Sequence, residues 1–522
     1  MKAGPAAPGA PTVEDAVKQP ARIALSVALC LSVPGCKTSS TPAPTTPAAA
    51  EPTPEPTPEP VEAAPETWVG AVELPDTSKL RFVARLTPPQ PGAPKPAWSG
   101  TLDIPAQGLK NFPLRDVAVT AESLEFVLAP PGAPESRWAF FTLEREAGAD
   151  EASGALSQAG QTLPASARKL KPGESDDLTP KRPQEPKPPF PYAQREATFT
   201  SAAKDKVTLA GTFTLPEGPG PFPAVVLLSG SGAQDRDETL MGHRPFLVLA
   251  DHLTRAGIAV LRFDDRGVGG SKGSLEKATQ ADLAGDARGA LDWLLQQPEV
   301  DKAKLGLIGH SEGAMIAARA AAADKRVGAI VMLAGPGVSG REILVQQLAA
   351  LARAGSIPEA EIEAQVTLQK QLIEALLANK SQTELESILR KLVGLQTSNA
   401  APEQVEALVK ASLSRLDTPW FRDFLKADPR ADLRKLKKTP VLALIGALDL
   451  QVPAESNIPE IEQALAKAGN TQATVKTLPE LNHLFQHATT GSPNEYAEIE
   501  ETMAPEVLRE VSDWLRSRWP SP

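Results

Sequence analysis

The chain is poor in cysteine: two residues among 522, Cys30 and Cys36, both near the N-terminus. If the mature protein begins at Cys36, as argued below, no second thiol remains. Disulfides, a cysteine nucleophile and a thiolate metal site are then excluded. Histidine is also scarce, with five residues, so any imidazole chemistry has few candidates. Positive charge is not in excess: 54 Lys and Arg stand against 64 Asp and Glu, a net charge of -10. That balance argues against nucleic acid as a partner. The apolar run Ile23–Val33 has eleven residues, too few for a bilayer span of about 20. No histidine–carboxylate cluster suggests a metal. Arg266-Gly267-Val268-Gly269-Gly270-Ser271-Lys272-Gly273 looks like a phosphate cradle but lacks both the G-K-[ST] ending and the G-x-G-x-x-G spacing.

The length predicts two or three domains, and the 52 prolines mark their joints. Proline dominates Thr41–Pro65 and returns at Pro172–Pro191, stretches that read as extended linkers. Lys18 and Arg22 precede the run Ile23–Val33, and Val33-Pro34-Gly35-Cys36 follows, a pattern that suits a signal peptide. It resembles a bacterial lipoprotein signal, with lipidation expected at Cys36. Residues 1–36 are accordingly expected to be removed or anchored and 37–66 to form a tether. Some 25 residues of polyproline II reach on the order of 80 Å. Export to the cell envelope on a lipid anchor is the expectation, with secretion as the alternative; the membrane is engaged through the anchor alone.

Residues 67–170 read as short antiparallel strands. Leu80–Leu86, Trp98–Leu102, Leu124–Leu128 and Trp138–Phe141 alternate apolar and polar positions between Gly, Pro and Asp signals. A small barrel or sandwich follows, with Trp68, Trp98 and Trp138 expected in its core. The partner of this module is left unknown. After a second linker at 171–192, the region 193–522 alternates strand and helix. Ala224–Leu228, Gly257–Phe263, Leu305–Ile308, Val327–Leu333 and Val441–Ile445 are continuously apolar, as in a parallel sheet covered on both faces. Arg341–Leu416 is nearly unbroken amphipathic helix and reads as a cap inserted at about 337–420.

Leu305-Gly306-Leu307-Ile308-Gly309-His310-Ser311-Glu312-Gly313 carries the chemistry. A strand enters a G-x-S-x-G turn and a helix leaves it, the setting of a nucleophile elbow at Ser311. A hydroxyl needs a base, and the base an orienting acid. His310 precedes the serine and must point away from it. His252 sits in an amphipathic helix, and His243 in the loop before it. His483, on the loop leaving the strand Ala473–Leu478, is the favoured base over His487. Asp449 ends the buried strand Val441–Ile445 at the same sheet edge and is the candidate acid. Candidate oxyanion donors are the backbone N–H groups of Glu312 and of Ser231, in the loop Leu228–Gln234. Asp235, Arg236 and Asp237 are expected to brace that loop, and Asp264, Asp265 and Arg266 to pair structurally.

Five motifs in this order, L-L-S-G-S-G-A-Q-D-R-D, L-R-F-D-D-R-G-V-G-G-S-K-G, G-L-I-G-H-S-E-G, L-I-G-A-L-D-L-Q-V-P and L-N-H-L-F-Q, span some 300 residues. The region 193–519 thereby resembles the α/β-hydrolase superfamily. It looks closest to bacterial exported carboxylesterases of the serine-aminopeptidase-like and dienelactone-hydrolase-like group. The resemblance implies the α/β-hydrolase fold, Ser311, Asp449 and His483 as nucleophile, acid and base, and no cofactor. Serine at 311 departs from dienelactone hydrolases, which use cysteine. The expected activity is serine carboxylesterase on a small-molecule ester, with a peptidase or amidase on the same triad, or a non-catalytic binding protein, as alternatives.

Overall fold

The computed structural model describes residues 64–90, 97–131, 133, 135–158, 161–397 and 402–519. The candidate signal peptide, Cys36 and most of the first proline-rich stretch lie outside the described residues. Two compact units are present, one built on the N-terminal strands and one on the chain from Pro180 onward. Among the described residues no helix is long and apolar enough to cross a membrane.

The first unit is a single nine-stranded antiparallel sheet. Its strands are β1 (Glu66–Glu73), β2 (Lys79–Thr87), β3 (Ser99–Ile104), β4 (Leu109–Pro113), β5 (Arg115–Val119), β6 (Ser123–Leu128), β7 (Ala139–Glu144), β8 (Glu151–Gln158) and β9 (Gln161–Lys169). They lie in the order β4-β3-β2-β1-β9-β8-β7-β6-β5. In a flat sheet β2 and β7 would sit about 19 Å apart, four strand spacings. Yet the Phe82 and Phe141 rings meet edge to face at 5.2 Å, and Phe141 stacks on Phe126 at 4.8 Å. The sheet is therefore rolled around its aromatic core. Its edge strands follow one another in sequence, with only Leu114 between them. Of the three tryptophans only Trp68 is core; Trp98 and Trp138 are half-buried, and Arg115 lies over the Trp138 ring. Both directly precede a strand, Trp98 before β3 and Trp138 before β7, and Trp98 packs against the rim of the core.

The second unit is an eight-stranded sheet in the order β10-β11-β13-β12-β14-β15-β16-β17. The strands are β10 (Ala193–Thr200), β11 (Thr208–Leu215), β12 (Phe222–Leu228), β13 (Ala259–Phe263), β14 (Val300–His310), β15 (Ala329–Leu333), β16 (Val441–Gly446) and β17 (Ala473–Leu478). β10 and β11 are antiparallel and the rest run parallel from β13 onward. This is the topology the resemblance implies. Helices α1 (Pro245–Arg255) and α11 (Pro505–Arg518) cover one face. The other is covered by α2 (Gln280–Leu294), α3 (Glu312–Ala323) and α10 (Ala454–Ala468). Strands buried on both faces explain the uninterrupted apolar runs.

Between β15 and β16 the described residues form six helices: α4 (Gly340–Ala354), α5 (Glu359–Leu377), α6 (Gln382–Gln396), α7 (Pro402–Leu416), α8 (Pro419–Lys426) and α9 (Pro429–Leu433). The cap thus extends past the expected end near residue 420. Thr418 and Asp428 cap two further short helices, each with proline at its start, and amphipathic spacing hides such breaks. The linker at 171–192 also differs from expectation in its second half. Arg182 donates to the carbonyls of Ala497 and Ile499 at 2.8 and 3.0 Å, and Gln184 bonds the backbone of Thr502 and Met503. Side-chain donors fasten a segment whose prolines cannot join a sheet.

Candidate active site

Ser311 stands between β14 and α3 with φ 52° and ψ -118°, a backbone shape costly for any residue with a Cβ. Two glycines make it attainable. A Cβ on Gly309 would lie 2.1 Å from the Gly313 carbonyl oxygen, and one on Gly313 would lie 2.1 Å from that of Leu228. The Ser311 N–H donates to Leu333 on β15 at 2.8 Å, which ties the elbow to the sheet edge. Ser311 itself is half-buried.

Asp449 and His483 meet on two loops at the carboxyl ends of β16 and β17. His483 Nδ1 donates to Asp449 Oδ2 at 2.8 Å, and both side chains are buried. The other carboxylate oxygen accepts the N–H groups of Gln451 and Val452 at 2.9 and 2.7 Å. With both oxygens engaged, the carboxylate has one orientation, and it fixes the imidazole with its proton on Nδ1. His487 is half-exposed and held between Glu501 and Glu506, away from this pairing. His243 is buried against Thr502 and the Tyr496 carbonyl, and burial first, then Arg182, pushes its pKa down to about 4. His252 bonds Ser512.

His310 does not point idly away. Its Nε2 donates to the His483 carbonyl at 3.0 Å, and the two rings lie 4.8 Å apart. Its Nδ1 faces Glu238 Oε1 at 2.9 Å, and the same oxygen accepts the Gly230 N–H at 2.7 Å. Gly230 borders the elbow closely: a Cβ there would be 3.3 Å from the Ser311 Cβ. Ser231, next in this loop, is exposed. Arg236 forks onto Asp264, Asp237 pairs with Arg262, and Asp235 accepts the N–H groups of Asp237 and Thr239. Asp264 therefore pairs with Arg236, whereas Arg266 is held by Asp286 and Asp205. Among the described residues no cation pairs with Asp265; it accepts the Gln234 N–H, and desolvation pushes its carboxyl well above the usual range.

The Glu312 side chain is buried beneath the cap. Trp420 of α8 donates its indole N–H to Oε1 at 3.0 Å, and the Gln280 amide donates to the same oxygen. Burial raises the Glu312 pKa to about 7. Gln280 is held in turn by Asp423 of α8, whose carboxylate accepts the Gln280 N–H at 2.7 Å. A small cavity adjoins the loop and the elbow, lined by Gly230, Gly232, Asp265, Leu275, Glu312 and Ile316 among others. Among the described residues no cluster of His, Cys, Asp and Glu is arranged to hold a metal. Glu238, the Glu312 side chain, Gln280 and Trp420 escape sequence reasoning. The charged run Asp235–Glu238 is the one signal that touches any of them.

Residues 244–488 match the family described as serine aminopeptidase, S33. Esterase EstD of Thermotoga maritima is 27% identical over 308 residues, 59% of this chain and 65% of EstD. An uncharacterised protein of Mycobacterium tuberculosis is 37% identical over 114 residues, 22% of this chain and 37% of that protein. The chain thus spans less than two thirds of the length of either relative. Among solved structures, an esterase of Pyrococcus furiosus aligns at 18% identity with a TM-score of 0.37, over 62% of this chain and 93% of that one.

Proposed function

The chain has the α/β-hydrolase topology, and from that premise we propose that it is a serine hydrolase of this superfamily cleaving carboxylic esters through an acyl-enzyme. The observation that carries this reading is the buried 2.8 Å hydrogen bond from His483 to Asp449, on the sheet edge that also presents the strained Ser311. Ser311 Oγ attacks the ester carbonyl while His483 Nε2 takes its proton. The tetrahedral oxyanion faces the N–H groups of Glu312 and Ser231. Glu238 already occupies the Gly230 N–H, which leaves the next amide of that loop for the substrate. Each such donor lowers the barrier by about 3 to 4 kcal/mol. The imidazolium returns its proton to the leaving alcohol, and water, activated by the same histidine, releases the acid. The Asp449 carboxylate stabilises the imidazolium.

A fluorophosphonate probe tests the reading: wild type labels, while Ser311→Ala and His483→Ala do not. Labelling that persists in folded Ser311→Ala refutes the nucleophile. The match of residues 244–488 to serine aminopeptidases favours an amide substrate as the second reading. The ratio of turnover on p-nitrophenyl esters to that on aminoacyl amides separates the two. No labelling of folded wild type makes the chain a binding protein on a hydrolase scaffold.

Export and anchoring through Cys36 are supported by the sequence around it alone. Cys36→Ala then shifts the protein from the membrane fraction to the soluble one in a lipoprotein-processing host.

A further inference from the structure

Two buried residues near the elbow, Glu238 and His310, form a bonded chain that the mechanism above uses only at its Gly230 end. Glu238 is 4% exposed and held at φ 53°, in the left-handed region that side chains disfavour. A residue in that shape persists when its surroundings demand it. One oxygen of its carboxylate, Oε1, meets two groups at once: the Gly230 N–H at 2.7 Å and His310 Nδ1 at 2.9 Å. His310 continues the chain, since its Nε2 lies 3.0 Å from the His483 carbonyl oxygen. Both ring nitrogens of His310 therefore face oxygen acceptors. Burial alone would oppose a charge on this ring, but Glu238, the His483 carbonyl and Asp449 outweigh it and raise the His310 pKa.

The chain of bonds joins three segments that the reaction needs in register: the loop bearing the oxyanion donor Ser231, the elbow bearing Ser311, and the loop bearing His483. We infer that Glu238 and His310 are a positioning pair for the Ser311 reaction, fixing the oxyanion loop and the base-bearing loop relative to the nucleophile. Neither residue touches the reacting atoms. Glu238 holds the loop through the amide just before Ser231, and His310 holds the main chain of the base itself. Misplacement of a catalytic group by about 1 Å costs on the order of 100-fold in rate. The inference rests on the serine-hydrolase reading, and its test separates the two.

The test compares wild type, Glu238→Ala, Glu238→Gln, His310→Ala and the Glu238→Ala/His310→Ala double variant on a p-nitrophenyl ester. Active sites are titrated by the fluorophosphonate probe, and Ser311→Ala is carried alongside. Glu238→Ala and His310→Ala each lower kcat per titrated site by about 10- to 100-fold, with KM changed less than about threefold. The double variant is no slower than the worse single, because both substitutions cut one chain. Glu238→Gln keeps an oxygen for both donors and recovers most of the lost rate. If Glu238→Ala does not fold, Glu238→Gln and His310→Gln provide the reading, with a smaller kcat loss at constant KM. The inference is overturned if kcat per titrated site stays within twofold of wild type while only the number of active sites falls. Losses that multiply in the double variant also overturn it. Activity persisting in Ser311→Ala removes the serine-hydrolase reading instead.

Discussion

Trp420, on the cap, donates its indole N–H to the carboxyl of Glu312, the residue directly after Ser311. The cap is thus bonded to the first turn of the helix that carries the elbow. The acceptor is an acid whose pKa burial raises from 4.5 to about 7.

That shift makes stability depend on pH. Between about pH 4.5 and 7 the folded chain binds the Glu312 proton and the unfolded chain does not, so the stability due to protonation falls as pH rises through this window. Fully ionised, the buried group costs about 3 kcal/mol relative to its protonated form. Glu312→Gln imitates the protonated acid and keeps an oxygen for Trp420 and Gln280. Thermal melts at pH 5 and pH 8 should show a larger drop for wild type than for Glu312→Gln; equal drops contradict this account.

Trp420→Phe removes the donor and keeps an aromatic ring beside Phe424, on which Trp420 now stacks at 6.2 Å. A hydrogen bond to a charged group contributes about 1.5–3 kcal/mol and a neutral one about 1 kcal/mol. The variant should lose more stability at pH 8 than at pH 5 in denaturant titrations. A loss independent of pH would assign the effect to packing.

Asp449→Asn keeps an oxygen for the Gln451 and Val452 amides but turns an N–H toward His483 Nδ1. The imidazole must then place its proton on the other nitrogen. The expected fall in kcat is about 10⁴-fold with the fold intact by circular dichroism. A fall under tenfold would remove Asp449 from the orienting role.

Gly313→Ala and Gly394→Ala should act in opposite senses. A Cβ at 313 runs into the Leu228 and Ser229 carbonyls at 2.1 and 2.6 Å, and the oxyanion loop must move. Loss of about 3 kcal/mol or more, together with activity, is expected. Gly394 lies exposed within α6 with nothing near it, and alanine there should add about 1 kcal/mol. Urea midpoints of the two variants check both signs.

The sheet and the three candidate catalytic positions were legible because each has a local signature. Buried parallel strands read as apolar runs, and glycines two residues either side of Ser311 mark a turn too tight for side chains. Asp449 and His483 each follow a strand end, where the topology gathers functional groups. Glu238, Gln280 and Trp420 had no such mark. Their partners lie 72, 32 and 108 residues away, and the bonds depend on how loops and cap close over the elbow. The cap boundary near Leu433 was obscured for a related reason. Thr418-Pro419 and Asp428-Pro429 are helix starts, yet after a long amphipathic stretch they read equally well as its end. Trp98 and Trp138 read as core residues because composition does not tell a fully buried ring from a half-buried one at a strand's start.

The cap leaves the sheet after β15 and returns at β16, which is hydrogen-bonded beside it. The two strands are parallel, so the chain leaves at the carboxyl edge of the sheet and re-enters at the amino edge, and the insertion is a crossover cassette that recombination can exchange without disturbing strand order. Glu312 limits which cassettes are compatible. A replacement that brings no indole or equivalent donor leaves a buried acid short of a partner directly beside the nucleophile. Exchange of specificity in this scaffold is thereby tied to one side chain outside the exchanged segment.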